Sequence, residues 1–125
     1  MNIIISNSSS IPIYEQIKNA IKQAIFTNEL KEDEMLPSVR VMANDLKISF
    51  LTVKKAYDEL EKEGFIKTVQ GKGSFIAPKN LELMREEKLN EIQQHIEQIS
   101  NIAQLADISE EEIIELFKII FRGEL

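Results

Sequence analysis

The chain has 125 residues, 43% of them apolar, with 15 Lys/Arg against 21 Asp/Glu for a net charge of −6. That apolar share supports a compact core and excludes a disordered chain, and the length suits one small domain or one domain with an appendage. The absence of cysteine excludes disulfides, thiol nucleophiles and Cys-ligated zinc.

Residues 1–11 read as a polar, Ser-rich extended arm behind the short run Ile3-Ile4-Ile5. That run is too short for a secretory segment, no basic stretch precedes it, and no apolar stretch approaches the ~20 residues of a membrane span. The expectation is a soluble, cytoplasmic protein.

Pro12 predicts a helix start, as a first-turn residue, because its missing N–H costs a helix nothing there. Ile13, Ile17, Ile21, Ala24 and Ile25 then recur at helical spacing. Residues 28–37 have charged and turn residues without a period and read as a loop. Ser38 reads as the N-cap of a second helix with the stripe Val39, Met42, Ala43 and Leu46. After a break at Lys47-Ile48, Ser49 caps a third helix whose stripe is Val53, Ala56, Tyr57 and Leu60. Gly64 suits the left-handed residue that ends a helix. Residues 65–69 and 74–77 read as two strands joined by the turn Gln70-Gly71-Lys72-Gly73.

The expected fold is therefore mainly α with a small β-hairpin wing. Helix, helix, short turn, helix and hairpin make a winged helix-turn-helix over residues 1–79. Residues 80–125 read as a two-helix tail. Leu89, Ile92, Ile96, Ile99 and Ala103 are spaced 3, 4, 3 and 4, a seam for a partner helix. Ser109-Glu110-Glu111-Glu112 reads as a capping box. Seven of the nine residues 113–121 are apolar, too many for one face, so this helix needs a covering surface. Leu89, Ile92, Ile96, Ile99, Ile113, Leu116, Phe117, Ile120 and Phe121 are the candidate dimerisation residues.

Charge is divided along the chain. Residues 12–79 hold eleven Lys/Arg against ten Asp/Glu, and residues 80–125 hold four against eleven. Residues 35–57 carry Arg40, Lys47, Lys54 and Lys55 against Asp45, and residues 64–79 carry Lys67, Lys72 and Lys79 with no acid. Local charge decides where a phosphate backbone docks. His95 is the single histidine and one histidine builds no metal site. The acids at 110–112 diverge on a helix and read as a cap. No nucleophile–base set, phosphate loop or metal cluster appears, so neither enzyme activity nor a cofactor is expected.

Five stretches carry a family resemblance: Pro12-Ile13-Tyr14-Glu15-Gln16-Ile17, Leu36-Pro37-Ser38-Val39-Arg40, Thr52-Val53-Lys54-Lys55-Ala56-Tyr57, Leu60-Glu61-Lys62-Glu63-Gly64-Phe65-Ile66 and Gln70-Gly71-Lys72-Gly73-Ser74-Phe75-Ile76. In order and spacing they resemble the winged-helix domain of the GntR family of bacterial transcription regulators. The short two-helix tail looks like that of the YtrA subfamily, where it serves dimerisation. The resemblance implies a regulator, by default a repressor, that binds a pseudo-palindromic operator as a homodimer. It also implies control of transporter operons. A small effector near the dimer interface is left open, as is a rival reading in which the domain binds protein and not DNA.

The resemblance and the docking mode of such domains give the candidate DNA-binding residues. Ser38 and Arg40 open the second helix, where free N–H groups favour phosphate and the family's matching Arg meets DNA. Ser49, Phe50, Leu51 and Thr52 form the first turn of the recognition helix. Lys54 matches a DNA-contacting basic residue of the family, and Lys55 adjoins it. Gln70, Gly71, Lys72 and Gly73 form the wing tip. Two positions depart from the pattern: Asn28 stands where a glycine is usual, and Phe50 stands where many members have Arg. Phe50 and Leu51 can meet thymine methyls instead of donating hydrogen bonds.

Overall fold

A computed structural model describes residues 2–78 and 81–124. Lys79 and the expected boundary at 79/80 lie outside the described residues. The chain falls into two compact units, Met1–Asn80 and Leu81–Leu125.

The first unit contains α1 (Ile13–Phe26), α2 (Val39–Leu46), α3 (Phe50–Lys62), β1 (Ile66–Val69) and β2 (Gly73–Ile76). Pro12 is the N-cap of α1 and not a residue of its first turn. Ser38 and Ser49 cap α2 and α3, accepting from the backbone N–H of Val41 and Thr52 at 3.1 Å each. α1 and α2 both pack on α3. Ile17, Ile21, Ala24 and Ile25 of α1, Met42 and Ala43 of α2 and Val53, Ala56, Tyr57 and Leu60 of α3 are all buried, as are Leu30, Leu36, Phe65, Ile66 and Ile76. Val39 and Leu46, expected in the α2 stripe, are only half-buried, since an eight-residue helix has little more than two turns to bury.

The hairpin pairs Ile66 with Ile76 and Val69 with Gly73. Residues 34–36, expected as part of a loop, lie along the free edge of β2. Leu36 N–H donates to Ser74 O at 2.8 Å, Ile76 N–H to Glu34 O at 2.9 Å, and Met35 bridges Phe75. The reason is backbone satisfaction: a two-stranded ribbon leaves a row of unpaired groups, and a passing extended segment pairs them. That pairing is non-local and has no periodicity to betray it.

The arm is tied to α1. The Gln16 side-chain amide donates to Ser6 O at 3.0 Å and to Ile11 O at 2.9 Å, and accepts from Ser6 N–H at 2.9 Å.

The second unit contains α4 (Leu81–Ala106) and α5 (Glu110–Phe121). Asp107 turns the chain between them in the left-handed region. The capping box at Ser109 is complete: Glu112 N–H donates to Ser109 Oγ at 3.2 Å, and Ser109 N–H donates to Glu112 Oε2 at 2.9 Å.

Candidate nucleic-acid interface

The helix-turn-helix places two serine-capped helix starts on one small unit. At the first, Arg40 is exposed. A salt bridge from Arg40 to Asp45 or Glu34 would make it a simple surface residue, and no such pair occurs among the described residues. At the second, Phe50 is 45% exposed and Leu51 74% exposed. Both side chains are excess to the core, which Val53, Ala56, Tyr57 and Leu60 already fill from the inner face of α3. Thr52 is half-buried, and its hydroxyl lies 2.8 Å from that of Ser49.

Further along α3 the two lysines diverge. Lys54 Nζ meets Asp58 at 2.8 Å, one turn on, with both side chains at least half exposed. Lys55 reaches back to α1 and sits 4.0 Å from the Tyr14 ring centre, a cation–π seat. The spacing of Lys54 and Asp58 was open to inspection in the sequence, but Tyr14 as the seat of Lys55 depends on how α1 packs.

Tyr57 is buried, and its hydroxyl donates to Pro37 O at 2.7 Å. Burial pushes the phenol well above its ordinary pKa. This bond joins the middle of α3 to the residue before the α2 cap, so it fixes the two helix starts against each other. On the opposite edge of α3, Lys18 and Lys22 of α1 meet Glu59 and Glu63. Lys18 Nζ lies 2.8 Å from a carboxylate oxygen of each, and Lys22 Nζ lies 3.3 Å from Glu63. Burial works against the charges, but the hydrogen bonds and opposite charges win: Glu63 is held below its ordinary value and Lys18 above.

At the wing, Gln70, Gly71 and Lys72 make the turn, with Lys72 N–H donating to Val69 O at 2.9 Å. Gly71 has φ +80° and Gly73 φ +130°. The turn conformation alone therefore accounts for both glycines. Lys72 is exposed at the tip. Lys67 points elsewhere, pairing with Asp33 at 2.6 Å.

In the second unit the candidate seam is open except at Ala103, which is buried. Leu89, Ile92, Ile96 and Ile99 on α4 and Leu116, Phe117, Ile120 and Phe121 on α5 are all exposed, and Ile113 is half-buried. Phe117 and Phe121 stack with ring centres 5.2 Å apart. A groove of roughly 340 Å³ runs between the helices, lined by apolar residues that include Ile99, Ala103, Ile108, Ile113 and Phe117. No helix of the described residues is long and apolar enough to cross a membrane, and they hold no cluster of His, Cys, Asp and Glu that could bind a metal.

Residues 13–76 match the family described as bacterial regulatory proteins, gntR family. The chain belongs to the gntR family. It is a DNA-binding transcriptional regulator of the winged-helix type. The matched span runs from the first residue of α1 to the last of β2, so it takes in Arg40, the whole of α3 and the wing. The chain is 36% identical over 116 residues to the HTH-type transcriptional repressor YtrA of Bacillus subtilis (strain 168), a match covering 93% of this chain and 89% of that one. This gntR relative is therefore similar through the tail as well. In three dimensions, a transcriptional regulator from Oenococcus oeni superposes with a TM-score of 0.79 at 30% identity, covering 94% of this chain and 97% of that one. AraR(DBD) in complex with operator ORX1 matches 62% of this chain and 96% of that one, with a TM-score of 0.55 at 26% identity.

Proposed function

We propose that this gntR regulator represses transcription by binding a pseudo-palindromic operator as a homodimer. The observation that carries the reading is the pair of serine-capped helix starts, held together by Tyr57, with an unpaired Arg40 guanidinium and exposed Phe50 and Leu51. In this reading the α2 start and Arg40 grip phosphate, where free N–H groups and a guanidinium both favour an anion. Phe50, Leu51 and Thr52 meet base edges in the major groove, with Ser49 fixing their helix start. Lys54 leaves Asp58 for the backbone, and Lys55 adds charge beside it. Gln70, Gly71, Lys72 and Gly73 carry the wing against flanking backbone. Repression is supported by the YtrA relative, itself named a repressor, and by the steric block that a protein seated on a promoter presents.

The dimer rests on the state of the second unit. Among its described residues only Ala103 is buried, at 9% exposure, so two helices alone bury almost no core. A second copy offers the same apolar faces, and a two-fold pairing covers both. Two recognition helices then call for half-sites about one helical turn apart. A small effector would act in the groove between α4 and α5, where it would compete with or complete that pairing. Such a regulator works in the cytoplasm, on its own promoter or one nearby, without a cofactor and without catalysis.

Footprinting of the full chain on its own promoter region tests the proposal. The expected result is a protected, two-fold-related site whose affinity falls steeply with salt. Absence of binding at low salt would overturn it.

A further inference from the structure

Among the described residues, positive backbone φ is confined to a few residue types, with one exception. Among the described residues, Gly64, Gly71, Gly73 and Gly123 adopt it, as do Asn28, Asp33 and Asp107. Glycine has no Cβ to clash, and Asn and Asp tolerate the left-handed region through short polar side chains. The exception is Lys47, at φ 57° and ψ 46°. It ends α2 with its N–H on the carbonyls of Ala43 and Asn44, while Ile48 N–H donates to Ala43 O at 3.1 Å. Glycine is the usual residue at such a helix end. A lysine there carries a conformational penalty that the fold does not require.

Its place suggests what outweighs the penalty. Lys47 lies in the turn of the helix-turn-helix, two residues before the Ser49 cap of the reading helix. Lys18, Lys22, Lys54 and Lys67 each meet a carboxylate, and Lys55 lies on Tyr14. Lys47 is exposed, and no hydrogen bond or ion pair occupies its ammonium among the described residues. The first turn of α3 meanwhile holds Phe50, Leu51 and Thr52 and no cation. We propose that Lys47 is a DNA phosphate contact, supplying from the turn the charge that the start of the recognition helix lacks. The inference rests on the DNA-binding reading above. The competing role is purely structural, a cation at the negative end of the α2 dipole.

The two roles separate in a salt titration. The full chain and its Lys47→Gly, Lys47→Asn and Lys47→Arg variants are titrated on promoter DNA over a range of KCl concentrations, with thermal midpoints measured alongside. Glycine and asparagine both accept the left-handed backbone, so both variants fold. A phosphate contact predicts that each weakens binding about five-fold per engaged protomer near 0.15 M salt. It also predicts a loss of about 0.9 per engaged protomer from the slope of log affinity against log salt. Lys47→Arg retains the slope, and the midpoint of Lys47→Gly stays level or rises. Wild-type affinity and slope in both neutral variants would overturn the inference while leaving the DNA-binding reading intact, whether or not their midpoints fall. Failure of the wild type itself to bind would overturn both.

Discussion

At the scale of single residues, the site is divided between groups held in place and groups left free. Ser38 and Ser49 are committed to backbone N–H groups, and Tyr57 to a carbonyl. Arg40, Phe50 and Leu51 are left to solvent. A free guanidinium beside a helix start contributes charge without sequence information. Arg40→Ala should therefore weaken binding to all DNA sequences alike and remove about 0.9 per protomer from the salt slope, with the thermal midpoint unchanged. Fluorescence anisotropy on operator and scrambled DNA measures this. An apolar ring at the opening of α3 should act differently. Phe50→Ala should change which bases are preferred, most at T-containing steps, with little change in salt slope. Selection from a randomised operator library checks it, and an unchanged preference at every position would refute the thymine-contact role. The missing guanidinium at Phe50 was visible in the sequence. That Arg40 stays unpaired was not, because Asp45 and Glu34 are both near enough along the chain to be candidates.

At the scale of elements, α3 is anchored on three sides. Its inner face fills the core, Tyr57 reaches the start of α2, and Glu59 and Glu63 receive Lys18 and Lys22 from α1. Tyr57→Phe would leave Pro37 O without its buried donor. A loss of about 0.5–1.5 kcal/mol follows from that part-buried hydrogen bond, read as a lower midpoint in urea unfolding, together with weaker DNA binding because the start of α2 loses one of its ties to α3. Ile21→Ala, at the α1–α3 contact and fully buried, should cost about 2–5 kcal/mol. The ion cluster sets pH limits. Glu63 titrates below its ordinary value when folded, so its contribution is present at neutral pH and is lost as pH falls below about 4.5. Tyr57 titrates above its ordinary value, so stability falls as pH rises past about 10, where the unfolded chain ionises more readily. Lys18 is raised and adds loss on the same alkaline side. Thermal midpoints across pH 3–11 should form a plateau with both shoulders, and Glu63→Gln should reduce the acid shoulder. The capped helices and the glycine hairpin were legible because serine caps and glycine turns are local devices. The third edge at residues 34–36 was not, because its partners lie about 40 residues away in β2.

At the scale of the molecule, the two units differ in how complete they are. The first closes its own core. The second leaves its largest side chains in water, Phe121 at 79% exposure, while carrying most of the acid of the chain. A run of like charge opposes the approach of a phosphate backbone to that unit. If a second copy covers α4 and α5, a charge placed in the stacked Phe117–Phe121 pair should break the dimer. Phe117→Asp is expected to sediment as a monomer, to lose helical signal attributable to residues 81–124, and to bind operator DNA at least ten-fold more weakly through loss of the second half-site. A variant that stays dimeric by sedimentation would move the interface elsewhere.

Features that depend on neighbours along the chain could be read without any fold. Serine caps, the Gly64 and Gly71 turns, the apolar stripes of α1 and α3 and the seam of α4 follow from spacings of one to four residues, and they gave the winged helix and its candidate reading helix. Which of the spaced charges are engaged depended on the fold. Lys54 meets Asp58 and Lys55 meets Tyr14, Arg40 stays open, and residues 34–36 complete the wing. The fold also put Lys47 in a backbone conformation that only Gly, Asn and Asp share elsewhere among the described residues. The physical reason is range: caps and stripes are set by covalent spacing, whereas ion pairs, ladder edges and φ at a helix end are set by what the fold brings alongside.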